Sequence, residues 1–361
     1  MQPFQGYDDS DSSDEDEEPS LHVRGREPPA TEKFIQAITK KPLKGVRLVY
    51  HSSASGKQIQ RGSLPTFRLA EYFHKLETTS LGTVIMATPK VASTQDLMKE
   101  FASAVPPGVV LVADKQKKGR GRGGNVWTSP KGCLMFSFNI QIQNATTLPF
   151  LQYVVALSIV QGIQSEAKLC LLSHGQAAAA QGAASVCRIK WPNDIYSGNL
   201  KLGGVICEST YDMDTKLYNV TVGCGINVSN AKPTVCVQSA IRERAAELKS
   251  SGVGTQRPMH MALPLATRES ILGAVLNEME RNMEVFKKSG FAPLKPEYLK
   301  HWMHSHQQVE LVEPTGRTTM LIRGLTESGY LLAVDKNSVP YELHPDGNSL
   351  DFFNGLVRKK L

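Results

Sequence analysis

Several things are missing from this chain, and each absence narrows what it can be. No uninterrupted apolar run approaches the roughly 18 residues that a membrane-crossing helix requires. The richest run, "FLQYVVALSIVQGI" from Phe150, is broken by Gln152 and Gln161, so a soluble protein is expected. The six cysteines (Cys133, Cys170, Cys187, Cys207, Cys224, Cys236) never stand as a Cys-x-x-Cys pair. Most sit in or beside apolar runs, which favours buried thiols in a reducing compartment over a zinc site or a disulfide framework. Residues 1–20 contain no Lys or Arg but eight acids. That is the wrong sign for an Arg-rich transit peptide, and an apolar signal segment is absent too. So low an apolar content leaves little to fold around.

Removing those eight negative charges from the net +7 leaves +15 on the rest of the chain. A basic body suits an anionic ligand or partner: a nucleotide, a nucleic acid or an acidic protein. Residues 1–31 read as a disordered acidic tail. Residues 32–65 are Lys-rich and broken by Gly and Ser, and read as a poorly ordered N-terminal region. From about residue 66 the pattern sharpens. "FRLAEYFHKL" has helical periodicity, and "STQDLMKEFASAV" reads as a helix capped by Ser93 or Thr94. "TVIMAT" and "GVVLVAD" read as buried strands. "LMFSFNIQI" alternates as a strand with one face on a core and the other toward solvent or a site. Residues 150–163 make a nearly all-apolar helix, 173–185 a loop insertion, and 231–267 a long excursion. "ESILGAVLNEMERNMEVFKK" is an amphipathic helix ending at Gly290. Mixed helices and strands make the body, 66–305, α+β. Short strands separated by turn residues make 306–361 a small all-β barrel or sandwich.

Two clusters carry chemistry. In "KQKKGRGRGGNVW", Lys115 to Trp127, five cations fall in eight positions among glycines. Backbone amides freed by glycine, with Arg120 and Arg122 one glycine apart, make a cradle for phosphate or carboxylate. On charge alone the stretch better suits an exposed basic loop or an RGG-like nucleic-acid contact. Trp127 adds a flat apolar wall, suited to a small molecule with one greasy and one anionic end. In "KWPNDIYSGNLKLGG", a hairpin turn at Gly198 and Asn199 puts Tyr196 opposite Lys201 and Asp194 opposite Gly203. A carboxylate and an ammonium then lie side by side, with Lys190 and Asn193 close in sequence. That set suits a Mg-nucleotide, with cations stabilising charge on an α-phosphorus. "GCGIN", Gly223 to Asn227, would let a ligand approach the backbone, or simply pack tightly.

The blocks "GRGRGGNVWTSPKGCLMFS", "KWPNDIYSGNLKLGGVICES" and "VGCGINV", with "VASTQDL" upstream, resemble the signature blocks of biotin protein ligases. The C-terminal "GYLLAV" to "FFNGLVRKK" stretch resembles the plant holocarboxylase synthetases in particular. The resemblance implies a catalytic domain like the class II aminoacyl-tRNA synthetases, with a small SH3-like C-terminal barrel. It implies that biotin and ATP give biotinyl-5′-adenylate and pyrophosphate, and that a carrier-protein lysine then takes the biotinyl group. By that likeness Ser93, Thr94, Gln95 and Gln116 lie against biotin, with Gly119, Trp127, Gly204, Gly223 and Gly225 around it. Arg120, Gly121 and Arg122 would close over carboxylate and phosphate, as a glycine-rich lid ordered by binding. Lys201 would bind both reacting groups. Lys190, Asn193, Asp194 and Asn227 would serve nucleotide, with Mg2+ on Asp194. Arg122, Lys201 and Asp194 are the candidate catalytic residues. The implied partners are the apo biotin carboxyl-carrier domains of carboxylases. Neither DNA nor membrane is expected as a partner, because no helix-turn-helix is visible in residues 1–66. The expected compartment is the cytoplasm, and organelle forms would need alternative starts. The oligomeric state is not legible. Two rival readings remain at this point: a lipoate or octanoyl ligase of the same fold, and an RNA-binding module without catalysis.

Overall fold

The computed structural model describes residues 19–51, 64–173, 186–230, 232, 234–250, 265–313, 316–345, 348–351 and 355–359. The first 18 residues of the acidic tail, nearly all of the 173–185 insertion and residues 251–264 of the later excursion lie outside them. The described chain runs β1 (Ser20–Gly25), α1 (Pro28–Lys40), β2 (Arg47–Tyr50), α2 (Leu69–Lys75), β3 (Val84–Val91), α3 (Thr94–Glu100) and β4 (Val110–Gln116). It continues through β5 (Cys133–Ile142), α4 (Leu148–Ser173), β6 (Arg188–Lys190), β7 (Asp194–Ser197), β8 (Leu200–Asp212) and β9 (Leu217–Asn227). Three helices follow, α5 (Val237–Ser250), α6 (Arg268–Ser289) and α7 (Lys295–His301). Six strands end it: β10 (Gln308–Glu313), β11 (Gly316–Leu325), β12 (Leu331–Val334), β13 (Pro340–Leu343), β14 (Asn348–Asp351) and β15 (Leu356–Lys359).

The first nine strands form one mixed sheet in the order β2-β1-β3-β4-β5-β9-β8-β7-β6. Each of its faces is covered by helices. On one, α4 and α6 cross so closely that a Cβ on Gly162 would lie 2.7 Å from the Val275 backbone. This glycine lets the helix axes approach. Leu151, Val154, Val155, Leu157 and Val160 of α4 are fully buried there. With its preceding turn, α4 is the one helix among the described residues long and apolar enough to cross a membrane. Its apolar residues lie mostly inside the fold.

The other face has a smaller core, made by Leu21, Val23, Phe34 and Ile38 against Met86, Met98 and Leu111. This differs from the expectation of a tail and a poorly ordered segment up to residue 65. Residues 20–50 add two strands and a helix to the sheet, with β1 antiparallel to β3 and parallel to β2. Averaged polarity hides the pattern, because only a few residues carry it. Leu21 and Val23 alternate on a strand, and Phe34 and Ile38 are four apart on a helix.

Strand β5 is buried on both faces instead of one. The side expected to face solvent or a site is tied by Ser137 Oγ donating to Thr94 Oγ1 (2.9 Å) and Asn139 Nδ2 donating to the Met98 carbonyl (3.1 Å). Helix α4 also runs well past residue 163, and α5 lies inside the 231–267 excursion.

The hairpin is half as expected. Tyr196 pairs with Lys201, but a bulge after Ile195 sets Asp194 opposite Gly204, not Gly203. The longer pairing of β8 with β9 fixes Gly203 against Ile226, and the short β7 must accommodate it. The last six strands form a separate small sheet, β13-β12-β11-β10-β15-β14, where the barrel was expected.

His304, in the link to that sheet, is fully buried. Burial, reinforced by the Lys190 charge, outweighs a hydrogen bond to Gln307 and pushes its pKa down to about 4. The unfolded chain takes a proton there near pH 6.5, whereas the native chain refuses it. Stability is therefore lost as pH falls from 6.5 towards 4, by about 3 kcal/mol from this residue. His304→Gln is expected to melt with a smaller loss between pH 7.5 and 4.5 than the wild type does. Equal losses would contradict the assignment.

Candidate active site

The first turn of α3, the end of β4, the glycine-arginine loop, the start of β7 and the middles of β8 and β9 line an open cleft. Ser93 caps α3 by accepting from the Asp96 amide (3.2 Å), which fixes Thr94 and Gln95 in the first turn against the cleft. Gln116 Oε1 accepts from the Thr94 amide (2.8 Å) and hydroxyl (3.0 Å), while its Nε2 donates to Ser129 Oγ (3.1 Å). Gln95 Nε2 donates to Glu208 Oε2 (3.1 Å) and to the Thr221 carbonyl (3.2 Å). Its Oε1 is buried without a hydrogen-bond partner and lies over Gly223, where a Cβ would come within 2.4 Å. An unmet acceptor on the wall of a cleft is an available contact for a ligand N–H.

The basic loop is a tight hairpin in this structure. The amides of Lys117 and Lys118 donate to the carbonyls of Val91 (3.0 Å) and Ala92 (2.8 Å). Trp127 N donates to the Gly119 carbonyl (2.9 Å), and Gly121 N to the Asn125 carbonyl (2.7 Å). The tip turns through Gly123 and Gly124 at φ 65° and 81°, the left-handed region that favours glycine. Arg120 is held by two carboxylates, those of Asp96 and, at 3.2 Å, Glu208. Arg122 lines the cleft beside it. The Trp127 ring lies on Gly225, where a Cβ would meet it at 2.6 Å. Lys201 Nζ stands 5.7 Å from the centre of that ring and 2.8 Å from Asp194 Oδ1.

Of the residues expected at the site, Ser93, Thr94, Gln95, Gln116, Arg120, Gly121, Arg122, Trp127, Asn193, Asp194, Lys201, Gly204, Gly223 and Gly225 all line this cleft. Three lie behind it. Gly119 packs under the Trp127 carbonyl. Lys190 Nζ sits 5.0 Å over the Tyr196 ring. Asn227 is buried, donating to Thr234 Oγ1 (2.9 Å) and accepting from the Cys133 thiol (3.0 Å). Sequence reasoning missed Val205, Ile206 and Cys224 on the wall, and the carboxylates of Asp96 and Glu208 behind Arg120. The signal for the first three was the β8–β9 register, which pairs Val205 with Cys224.

No group of three or more His, Cys, Asp or Glu able to hold a metal occurs among the described residues. Asp194 is a single carboxylate already paired with Lys201. That donor set fits a Mg2+ brought in on substrate phosphates rather than one caged by protein.

Comparisons with known proteins give the chain's relatives. The profile of the Biotin/lipoate A/B protein ligase family matches residues 87–227, a span that includes every cleft-lining residue. The chain is 37% identical over 320 residues to biotin–protein ligase 1, chloroplastic, of Arabidopsis thaliana, covering 88% of this chain and 79% of that one. It is 37% identical over 309 residues to biotin–protein ligase 2 of the same plant, covering 84% and 86%. Its fold is similar to that of the biotin protein ligase from Aquifex aeolicus in complex with biotin and ATP. There the TM-score is 0.50 and the identity 27%, covering 72% of this chain and 94% of that one. Relatives so similar over most of their length settle the descent: the chain belongs to the biotin protein ligase family.

Proposed function

We infer that the chain activates biotin with ATP and passes the biotinyl group to a protein lysine. The observation that carries this is the juxtaposition of Lys201 with Asp194, Arg122 and the Trp127 ring in one cleft. The first step joins two anions. A biotin carboxylate oxygen attacks the α-phosphorus, the bond to the bridging oxygen breaks, and pyrophosphate leaves with its electron pair. The repulsion between carboxylate and phosphate must be offset by fixed cations, and Lys201 with Arg122 supplies them. In the second step a neutral lysine amine attacks the acyl carbon and AMP departs. No covalent enzyme intermediate is needed.

In this reading Trp127, Gly204, Gly223 and Gly225 wall the ring end of biotin. Ser93, Thr94, Gln95 and Gln116 supply hydrogen bonds, with Gln95 Oε1 as the open acceptor. Gly119, Arg120 and Gly121 form the backbone lid. Asn193 and Asp194 face the nucleotide, and Asp194 would hold a Mg2+ carried in with the substrate, which would supply neutralising charge. Lys190 and Asn227 meet it where it extends past the cleft wall. The acceptors proposed are apo biotin carboxyl-carrier domains of carboxylases. None of the six cysteines is in a disulfide, which suits a reducing compartment such as the cytosol.

Biotin-dependent ATP–pyrophosphate exchange with Mg2+ tests the reading, with lipoate and octanoate as parallel substrates. Exchange with biotin alone is expected. Exchange with lipoate alone would move the activity to the sister branch of the family. Silence with all three would overturn adenylation.

A further inference from the structure

Trp191 stands between Lys190 and the Pro192-Asn193-Asp194 turn, points away from the cleft, and is 2% exposed. Its two N–H groups are both met, and each leads to the C-terminal sheet. The backbone N–H donates to His304 Nε2 (3.0 Å), and the indole Nε1 donates to the Tyr153 hydroxyl (3.0 Å). Tyr153 in turn donates to the Gly329 carbonyl in the β11–β12 turn (2.7 Å). His304 Nδ1 lies 2.9 Å from Gln307 Oε1. One residue before Lys190, Ile189 bridges in parallel to Trp302, and its carbonyl accepts from the Met303 amide (3.0 Å).

Donor accounting fixes the arrangement. Trp191 N–H can only donate, so Nε2 of His304 is the bare acceptor and Nδ1 carries the hydrogen to Gln307. The lowered pKa of His304 keeps that tautomer intact at neutral pH. The Tyr153 hydroxyl has one proton, given to Gly329, and accepts from the indole with a lone pair. Trp191, Tyr153 and His304 are buried, so none of the three can turn to water as a substitute partner. Strand β6 is three residues long and is the edge of the nine-stranded sheet. Its outer side is paired by residues 302 and 303. The turn that presents Asn193 and Asp194 therefore has the C-terminal segment as its outer support.

We propose that His304 and Tyr153 are positioning residues. Through Trp191 they let the small C-terminal sheet set Asn193 and Asp194 for the nucleotide. The hydrogen-bonding residues proposed for biotin, Thr94, Gln95 and Gln116, stand on α3 and β4, and its wall residues Gly204, Gly223 and Gly225 on β8 and β9, which the long β8–β9 and β5–β9 pairings hold. The support of β6 therefore bears chiefly on the nucleotide. This rests on the reading in which Asn193 and Asp194 face ATP.

The test uses the full chain with His304→Asn, His304→Gln and Tyr153→Phe. KM for ATP is read in pyrophosphate exchange, and biotin affinity by calorimetry without nucleotide. His304→Asn keeps a donor near Nδ1 but withdraws the acceptor from Trp191. KM for ATP is expected to rise roughly tenfold or more, as misplaced substrate-facing groups require, with biotin affinity unchanged within about twofold. His304→Gln places an amide oxygen near Nε2 and restores ATP use to within about threefold of the wild type. Tyr153→Phe leaves the indole unmet and raises KM for ATP several-fold. Should His304→Asn fail to fold, the last two variants carry the test. Parallel loss of biotin and ATP, or an unmoved KM in both Asn and Phe variants, would overturn the proposal while the wild type exchanges normally. A wild type without biotin-dependent exchange would instead overturn the functional reading, and this inference with it.

Discussion

Replacing Lys201 by alanine is expected to lower biotin-dependent pyrophosphate exchange by roughly 10³-fold, the scale on which a preorganised electrostatic contact acts. The melting temperature should barely move. Lys201 and Asp194 are 38% and 23% exposed, and an ion pair so placed contributes about 1 kcal/mol or less to stability. For a chain of this length that is a few degrees at most. Activity suffers more than stability for a physical reason. With the ammonium gone, the Asp194 carboxylate faces incoming carboxylate and phosphate unpaired, so an attraction becomes a repulsion. Exchange assays beside a melting curve decide the matter. Near-normal exchange would mean that the cleft's cation for the reaction is another residue.

Gly225→Ala is expected to weaken biotin binding by roughly two orders of magnitude in a folded protein. The added methyl would sit 2.6–2.8 Å from three indole atoms of Trp127. Those distances are well inside van der Waals contact, and β9 cannot retreat because it is paired on both sides, to β5 and β8. The ring must therefore leave. Trp127 N also pairs with the Gly119 carbonyl, so displacing the ring loosens the hairpin that bears Arg120 and Arg122. Fluorescence reports the event directly. The other two tryptophans, Trp191 and Trp302, are 2% and 3% exposed, so a red shift in the variant belongs to Trp127. Wild-type biotin affinity together with an unshifted spectrum would show that the ring has room this structure does not display.

The site was the most legible part of the sequence because its chemistry is compressed into short blocks. Lys201 and Asp194 are joined by a hairpin whose turn is visible in Ser-Gly-Asn, and local register was enough to pair Tyr196 with Lys201. The bulge that moves Asp194 was not visible, because it comes from β9, more than twenty residues downstream. Arg120 shows the same limit. Counting charges marked the loop as a cradle for anions, but no count could reveal that Asp96 and Glu208, far apart in the chain, converge on Arg120. Residues 20–50 were misjudged for a related reason. Their four core residues gain meaning only against Met86, Met98 and Leu111. Trp191 was visible as part of a motif, whereas the partners of its two N–H groups lie at positions 153 and 304.

Strand β9 sits between β5 and β8 in the sheet order and is the last of the nine to be reached along the chain. Gly223 and Gly225, the floor beneath Gln95 and Trp127, lie on it. During synthesis the polypeptide therefore emerges with its arginine loop and ring-facing helix already made but nothing for them to close upon. Pairings this distant in sequence form late in folding. A nascent or half-folded chain thus has no floor on which to retain a reactive acyl-adenylate until the centre of the sheet is filled.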